Sequence, residues 1–285
     1  MAYRKTVRGI LKLLRLPYWL MTGGLSLLTF LALKPANLNV ETFVLTFFSM
    51  AFISSAGFAI NDFFDKDGDA LVKPSRPIPA GEIPPKVAVY VSAVFFLLGL
   101  LQAFLLNWLC LLIVFIDSIL LVVYSAFIKR RSGFAANILV GGLIGTAFLY
   151  GEAAGSGTIT TASLSMYPIC LGSVGGNILR DILSLEGDCK LGYPTLPQKL
   201  GVGRSAKVAA LFFICCTLSA PLPYLLGIFS EKYLALILIW CLILIYGSVS
   251  LLRAPSSLDI VKRNERILTM SMILLPLALI TEVIS

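Results

Sequence analysis

Nine apolar stretches succeed one another along the chain, at about residues 16–33, 42–61, 87–106, 108–127, 134–151, 163–182, 207–228, 233–252 and 267–283, and the polar segments between them carry nearly all the charge. Each is close to the roughly 17 to 25 residues that a helix needs to cross the hydrocarbon core of a bilayer. A chain in lipid must pair every backbone N–H and C=O internally, which leaves the helix as the natural form for such runs. The pattern predicts an all-α, polytopic membrane protein with nine transmembrane helices around a central cavity, forming a single domain over residues 1–285. Arg4, Lys5, Arg8, Lys12 and Arg15 precede the first stretch in the manner of a signal peptide. Its apolar run is too long for one and no small-residue cleavage site ends it, so it reads as a retained first span.

Composition sharpens this picture. Hydrophobic residues make up 58% of the chain and charged residues 13%, too apolar for one soluble core and the opposite of a disordered or disulfide-built protein. There is no histidine, and the six cysteines show no Cys-x-x-Cys spacing, which removes His/Cys zinc sites, His-ligated haem and Ser-His-Asp catalysis. Lys and Arg gather on the cytoplasmic side of membrane proteins. With the N-terminus inside, the alternation of nine spans puts all but Lys34 and Lys232 of the 23 basic residues in inner segments and leaves the C-terminus outside. The net charge of +8 therefore reflects membrane orientation and anionic substrates, and no basic nucleic-acid module is visible.

Two polar groups interrupt this apolar frame. Asn61-Asp62-Phe63-Phe64-Asp65-Lys66-Asp67-Gly68-Asp69 ends the second stretch, and Asn177-Ile178-Leu179-Arg180-Asp181 followed by Glu186-Gly187-Asp188 ends the sixth. Both begin Asn-x-x-x-Asp, four helices apart, the one visible trace of an internal four-helix repeat with a ninth helix added. They fall in two long inner loops at about 62–86 and 183–206. Carboxylates are costly beside lipid, so two such groups on one membrane side point to cations to be held. On a helix Asn61 and Asp65 share a face, and so do Asp181 and Asp188 at i and i+7. Hard oxygen ligands without His or Cys suit Mg²⁺, which completes its shell with water and phosphate oxygens. Asn61, Asp65, Asp181 and Asp188 are the candidate metal ligands. Arg76 and Arg180, each inside an acidic group, have the forked geometry for phosphate oxygens.

These residues resemble the signatures of the UbiA superfamily of intramembrane prenyltransferases. The first, Asn-Asp-x-x-Asp-x-x-x-Asp, stands as Asn61, Asp62, Asp65 and Asp69, followed by Lys73-Pro74-Ser75-Arg76-Pro77; the second runs from Asp181 to Asp188 and on through Gly192-Tyr193-Pro194-Thr195-Leu196-Pro197. The resemblance implies Mg²⁺-dependent transfer of a prenyl group from its diphosphate to a lipophilic acceptor, with no obligatory protein partner. It also implies catalytic roles for Asp62, Asp69, Arg76, Tyr124 and Lys129, and diphosphate contacts from Arg15, Arg180 and Lys190. The family's Tyr-x-x-x-Lys element appears as Tyr124 and Lys129, one residue too far apart, and Ser184 replaces a frequent Asp of the second motif.

Glu186-Gly187-Asp188 with Thr195-Leu196-Pro197 is similar to the branch that acts on geranylgeranylglyceryl phosphate or chlorophyll-type acceptors, which implies a C20 donor. Lys190, Lys199 and Arg204 are available to an anionic glycerophosphate acceptor; aromatic, quinone-precursor and chlorin acceptors are the alternatives. Two other classes fit less well. CDP-alcohol phosphotransferases need Asp-Gly directly after Asp-x-x, where this chain has Lys66 after Asp65. A cation-coupled transporter places its acids near the bilayer midplane rather than at helix ends beside basic segments.

Overall fold

The computed structural model describes residues 2–35 and 38–284, and these are helical almost throughout, with no strand. In chain order the helices are α1 (Ala2–Leu14), α2 (Pro17–Ala32), α3 (Val40–Val72), α4 (Pro85–Leu106), α5 (Trp108–Val123), α6 (Lys129–Arg131), α7 (Gly133–Ser156), α8 (Thr161–Met166), α9 (Leu171–Leu183), α10 (Leu185–Lys190), α11 (Leu196–Ser219), α12 (Leu222–Leu225), α13 (Glu231–Arg253), α14 (Leu258–Ser271) and α15 (Leu274–Ile284). A π-helical turn, Tyr124–Ile128, joins α5 to α6, and a 3₁₀ turn, Tyr167–Cys170, joins α8 to α9.

Among the described residues seven helical stretches are long and apolar enough to cross a membrane, taking α5 with α6, α11 with α12 and α14 with α15 as one stretch each. The other two of the nine expected spans are shorter or broken. The stretch at 16–33 is the 16-residue α2, and that at 163–182 is divided between α8 and α9 at Pro168, which has no N–H to give to the helix ladder. Nine apolar stretches thus stand as seven long helices and two lesser ones. α2 lies between α3 and α7. Its approach to α7 needs Gly151, where a Cβ would stand 2.4 Å from the Ser26 carbonyl oxygen.

The expected inner loops are largely helical. α3 runs on to Val72 and carries the whole first motif, and α11 begins at Leu196, bending at Gly201 where φ is +79°. Of the two expected loops, 73–84, Ser184 and 191–195 lie outside helices. Asp, Asn and Gly are poor helix formers in isolation. Here Asp62, Asp65 and Asp69 fall at i, i+3 and i+7 on one buried face of α3, where cations from other segments satisfy them, and tertiary contact overrides propensity.

Glu152, which no motif surrounds, is a structural cap. Its buried carboxylate accepts the Thr160 N–H at 2.9 Å and the Thr160 hydroxyl at 2.5 Å, and the Ser163 hydroxyl as well, anchoring the start of α8. Glu282 on α15 does the same for α13, accepting the Ser230 N–H at 3.1 Å and its hydroxyl at 2.6 Å. Asp117 joins α5 to α7 by accepting the Thr146 hydroxyl at 2.7 Å.

Candidate active site

Three separate segments bring cations onto the acidic face of α3. Arg15, at the α1–α2 corner, places Nη2 2.7 Å from Asp62 Oδ1. Arg76, on the 73–84 connection, holds Asp62 at 3.0 Å and Asp69 at 2.5 Å through one Nη1. Lys129, where the π turn meets α6, pairs with Asp65 Oδ2. The three carboxylates are between 3% and 5% exposed, and burying such a group is costly without a partner of this kind. Arg15 has a left-handed backbone, φ 49°, which for a residue with a side chain costs about 1 kcal/mol or more. Its guanidinium lies 4.4 Å above the Phe58 ring and against Asp62, two contacts that offset this strain.

The Tyr124 and Lys129 spacing is accounted for by the π turn. The Lys129 N–H reaches back to the Tyr124 carbonyl, an i to i+5 bond, so five residues make the turn that four would make in an α-helix. The extra residue is absorbed locally, and Tyr124 stays on the side of Lys129. Tyr124 lies within electrostatic reach of both Asp65 and Asp181, one acid from each motif.

The second motif enters from α9. Asp181 Oδ2 accepts the Asn137 Nδ2 donor of α7 at 2.7 Å, and Asp181 lies within electrostatic reach of Asp188 and Lys129. The two acids do not share one continuous helix, as i and i+7 had implied, because the chain breaks at Ser184 between α9 and α10. The Ser184 hydroxyl donates to Asp188 Oδ2 at 2.6 Å. Arg180 is placed elsewhere: its Nε pairs with Glu265 of α14 at 3.1 Å and Nη2 donates to Thr269 at 3.3 Å. Adjacent helical residues point roughly 100° apart, so an arginine next to Asp181 faces a different neighbour. Lys190 is exposed on α10, as are Lys199 and Arg204 on α11.

Two residues outside the expected set complete the arrangement. Asn137 orients Asp181, as described. Tyr193 donates its hydroxyl to Asp65 Oδ1 at 3.2 Å, and the Lys129 ammonium stands 5.1 Å from its ring centroid. The segment around it is docked by the Gly133 N–H on the Pro194 carbonyl at 3.0 Å; a Cβ on Gly133 would lie 2.9 Å from the Thr195 Cα. Burial, and then the Asp65 carboxylate beside it, raise the Tyr193 phenol above its ordinary range, so it stays a protonated donor at physiological pH. Tyr193→Phe is expected to lower activity about tenfold, with a greater need for Mg²⁺, because partners behind a metal-binding carboxylate contribute on that scale. A Mg²⁺ titration of turnover checks this; an unchanged half-saturating concentration would argue against the contact.

The residues fit Mg²⁺. Asn61 gives Nδ2 to Asp65 Oδ2 at 2.9 Å, which leaves Asn61 Oδ1 buried and without a hydrogen-bond partner among the described residues. Such an orphaned oxygen is costly unless something accepts its lone pairs. Asp65, Asp181 and Asp188 carry oxygen donors of the same hard kind that Mg²⁺ prefers, although among the described residues no three Asp, Glu, His or Cys side chains are gathered closely enough to hold an ion by themselves.

Comparison with known proteins accords with this geometry. The model of the UbiA prenyltransferase family matches residues 20–273. A digeranylgeranylglyceryl phosphate synthase of Natronomonas pharaonis is 36% identical over 232 residues, 81% of this chain and 83% of that protein. A solved structure described as digeranylgeranylglyceryl phosphate synthase in membranes superposes with a TM-score of 0.84 at 30% identity, covering 98% of this chain and 99% of the other. A UbiA homologue of Archaeoglobus fulgidus, bound to GPP and Mg²⁺, shares the fold at a TM-score of 0.70 and 22% identity, over 96% and 99% of the two chains. The match runs through nearly every helix described above, and the chain belongs to the UbiA prenyltransferase family.

Proposed function

We propose that this protein is a Mg²⁺-dependent intramembrane prenyltransferase that moves a C20 prenyl group from its diphosphate to a prenylglyceryl phosphate, the reaction of digeranylgeranylglyceryl phosphate synthase. The observation that carries the reading is the facing of Asp65 and Asp181, one from each motif, around Lys129 and Tyr124. The 36% identity to a synthase of that name supports the acceptor, and the unpartnered Asn61 oxygen supports a bound cation. The whole chain acts as one membrane domain in this reading.

When bound, Mg²⁺ neutralises the diphosphate and stabilises it as a leaving group. Asn61, Asp65, Asp181 and Asp188 are the residues that would hold it. Lys129 turns its N–H donors to the diphosphate oxygens as the bond from C1 to oxygen breaks and negative charge grows there. The apolar helix faces take the isoprenoid tail and keep water from the allylic cation until the acceptor hydroxyl captures it. The hydroxyl proton leaves to the departing diphosphate or a motif carboxylate. No histidine is required.

The test is an assay of purified protein with Mg²⁺ and labelled geranylgeranyl diphosphate, offered geranylgeranylglyceryl phosphate, an aromatic acid and a chlorin in parallel. Label is expected in the glycerophosphate product. Transfer to the aromatic acid or chlorin alone would overturn the acceptor and leave prenyl transfer in place.

The site faces the cytoplasm in this reading, with the N-terminus inside and the C-terminus outside, because the distribution of Lys and Arg favours only that arrangement. Single cysteines at 75 and 193, in a background without the exposed Cys189, are expected to react with an impermeant thiol reagent only after the inner face is opened. Labelling of both from the outer face of sealed cells would reverse the topology.

A further inference from the structure

The acids on the buried face of α3 divide between two sets of partners, at its two edges. Asp65 turns towards Lys129, Tyr193 and the second motif, whereas Asp62 and Asp69 are gripped from another direction by Arg15 and Arg76. Beside Asp62 a cleft opens, lined by Lys12, Arg15, Tyr18, Ser75, Arg76 and Asp62 itself. Three cationic side chains meet there, 36%, 23% and 20% exposed, against one carboxylate that is 4% exposed.

The donors are not used up. Arg15 gives Asp62 one Nη2, and Arg76 gives both of its acids one Nη1. A guanidinium carries five N–H groups, so most remain for a ligand in the cleft. Lys12 is held at the edge by Glu82 at 2.6 Å, and Ser75 and Tyr18 add hydroxyls. No acid of the second motif lines this flank, so it lacks the paired carboxylates that a Mg²⁺–diphosphate needs and suits a phosphate held by N–H and O–H donors alone. α1, α2 and the corner between them, which form one side of the cleft, also expose Leu11, Leu16, Leu20 and Met21, apolar surface of the kind a lipid tail covers.

We propose that this cleft, rather than exposed Lys190, Lys199 and Arg204, receives the phosphate of the acceptor, a phosphorylated lipid alcohol. This rests on the function proposed above. The acceptor's phosphate then sits on the Asp62 flank of α3 and the donor's diphosphate on the Asp65 flank, with the acceptor hydroxyl between them.

Steady-state kinetics of Lys12→Gln and Ser75→Ala, in the full protein in lipid nanodiscs, tests it. Each variant is expected to raise KM for geranylgeranylglyceryl phosphate about tenfold, the worth of one charge-assisted hydrogen bond, with KM for geranylgeranyl diphosphate unchanged. The preference for the phosphorylated acceptor over its dephosphorylated alcohol should fall by the same factor. Glu82→Gln, which removes only the partner of Lys12, should leave the acceptor KM where it was; a rise equal to that of Lys12→Gln would mark the pair as structural and overturn the proposal. A shift in the donor KM instead would assign the cleft to the diphosphate, and no shift in either would empty it of a role. Should the wild-type protein ignore every phosphorylated acceptor, the functional reading itself has failed, and that appears before any variant is made.

Discussion

Alanine at Asp65 is expected to lower prenyl transfer by about 10³-fold or more, a loss of roughly 4 kcal/mol of transition-state stabilisation. Asp65 is where the first motif gathers its contacts: Lys129, Asn61 and Tyr193 all converge on its two oxygens. In the proposed mechanism it is also the acid that presents Mg²⁺ to the diphosphate. Deleting it strands Lys129, and breaking a buried pair destabilises by about 3–5 kcal/mol. Asp65→Asn keeps the shape of the side chain and should be equally inactive with less loss of stability. Asp67 lies two residues away on the exposed side of α3, and its replacement by alanine, which removes the same formal charge, should leave turnover near normal. Turnover at limiting Mg²⁺, with thermal unfolding in detergent as the control, reads all three. Activity of Asp65→Asn close to that of Asp67→Ala would sink the two-motif site.

A second large effect is expected at Lys129. Its ammonium stands against Asp65 and over the Tyr193 ring, and in the proposed mechanism it follows the charge onto the leaving diphosphate. Lys129→Ala should cost about 10²- to 10³-fold in kcat, the usual scale for losing one preorganised donor at a developing anion. The π turn makes a companion prediction that a simple reading of spacing would not. Deleting Ala126 shortens the turn by the residue it had absorbed and returns Tyr124 and Lys129 to i and i+4 of an α-helix. The deletion should therefore keep far more activity than Lys129→Ala does. If both variants are equally dead, the π turn holds something other than the register of these two side chains.

The alternation of apolar runs and basic segments is a local property. Each run must be long and apolar to sit in lipid whatever its neighbours are, so the succession of helices and their number, to within the two lesser ones, could be read from one dimension. The same holds for Asn61, Asp62, Asp65 and Asp69, since carboxylates beside an apolar run are conspicuous without any structure.

What those carboxylates touch is a different matter. Asp65 meets Tyr193 across 128 residues and Asp181 meets Asn137 across 44. Asn137 does not stand out in the sequence, and Tyr193, although it lies inside the second signature, gives no sign there of the acid it meets until the fold aims it. Arg180 shows the converse: its place inside the second motif promised a phosphate contact, but the helical turn between neighbours sends it to Glu265. The continuation of α3 to Val72 and the π turn before Lys129 depend likewise on ion pairs made with other segments. Burial in lipid is decided residue by residue along the chain. The pairing of charges is decided by distances between helices, and those exist only once the bundle has closed.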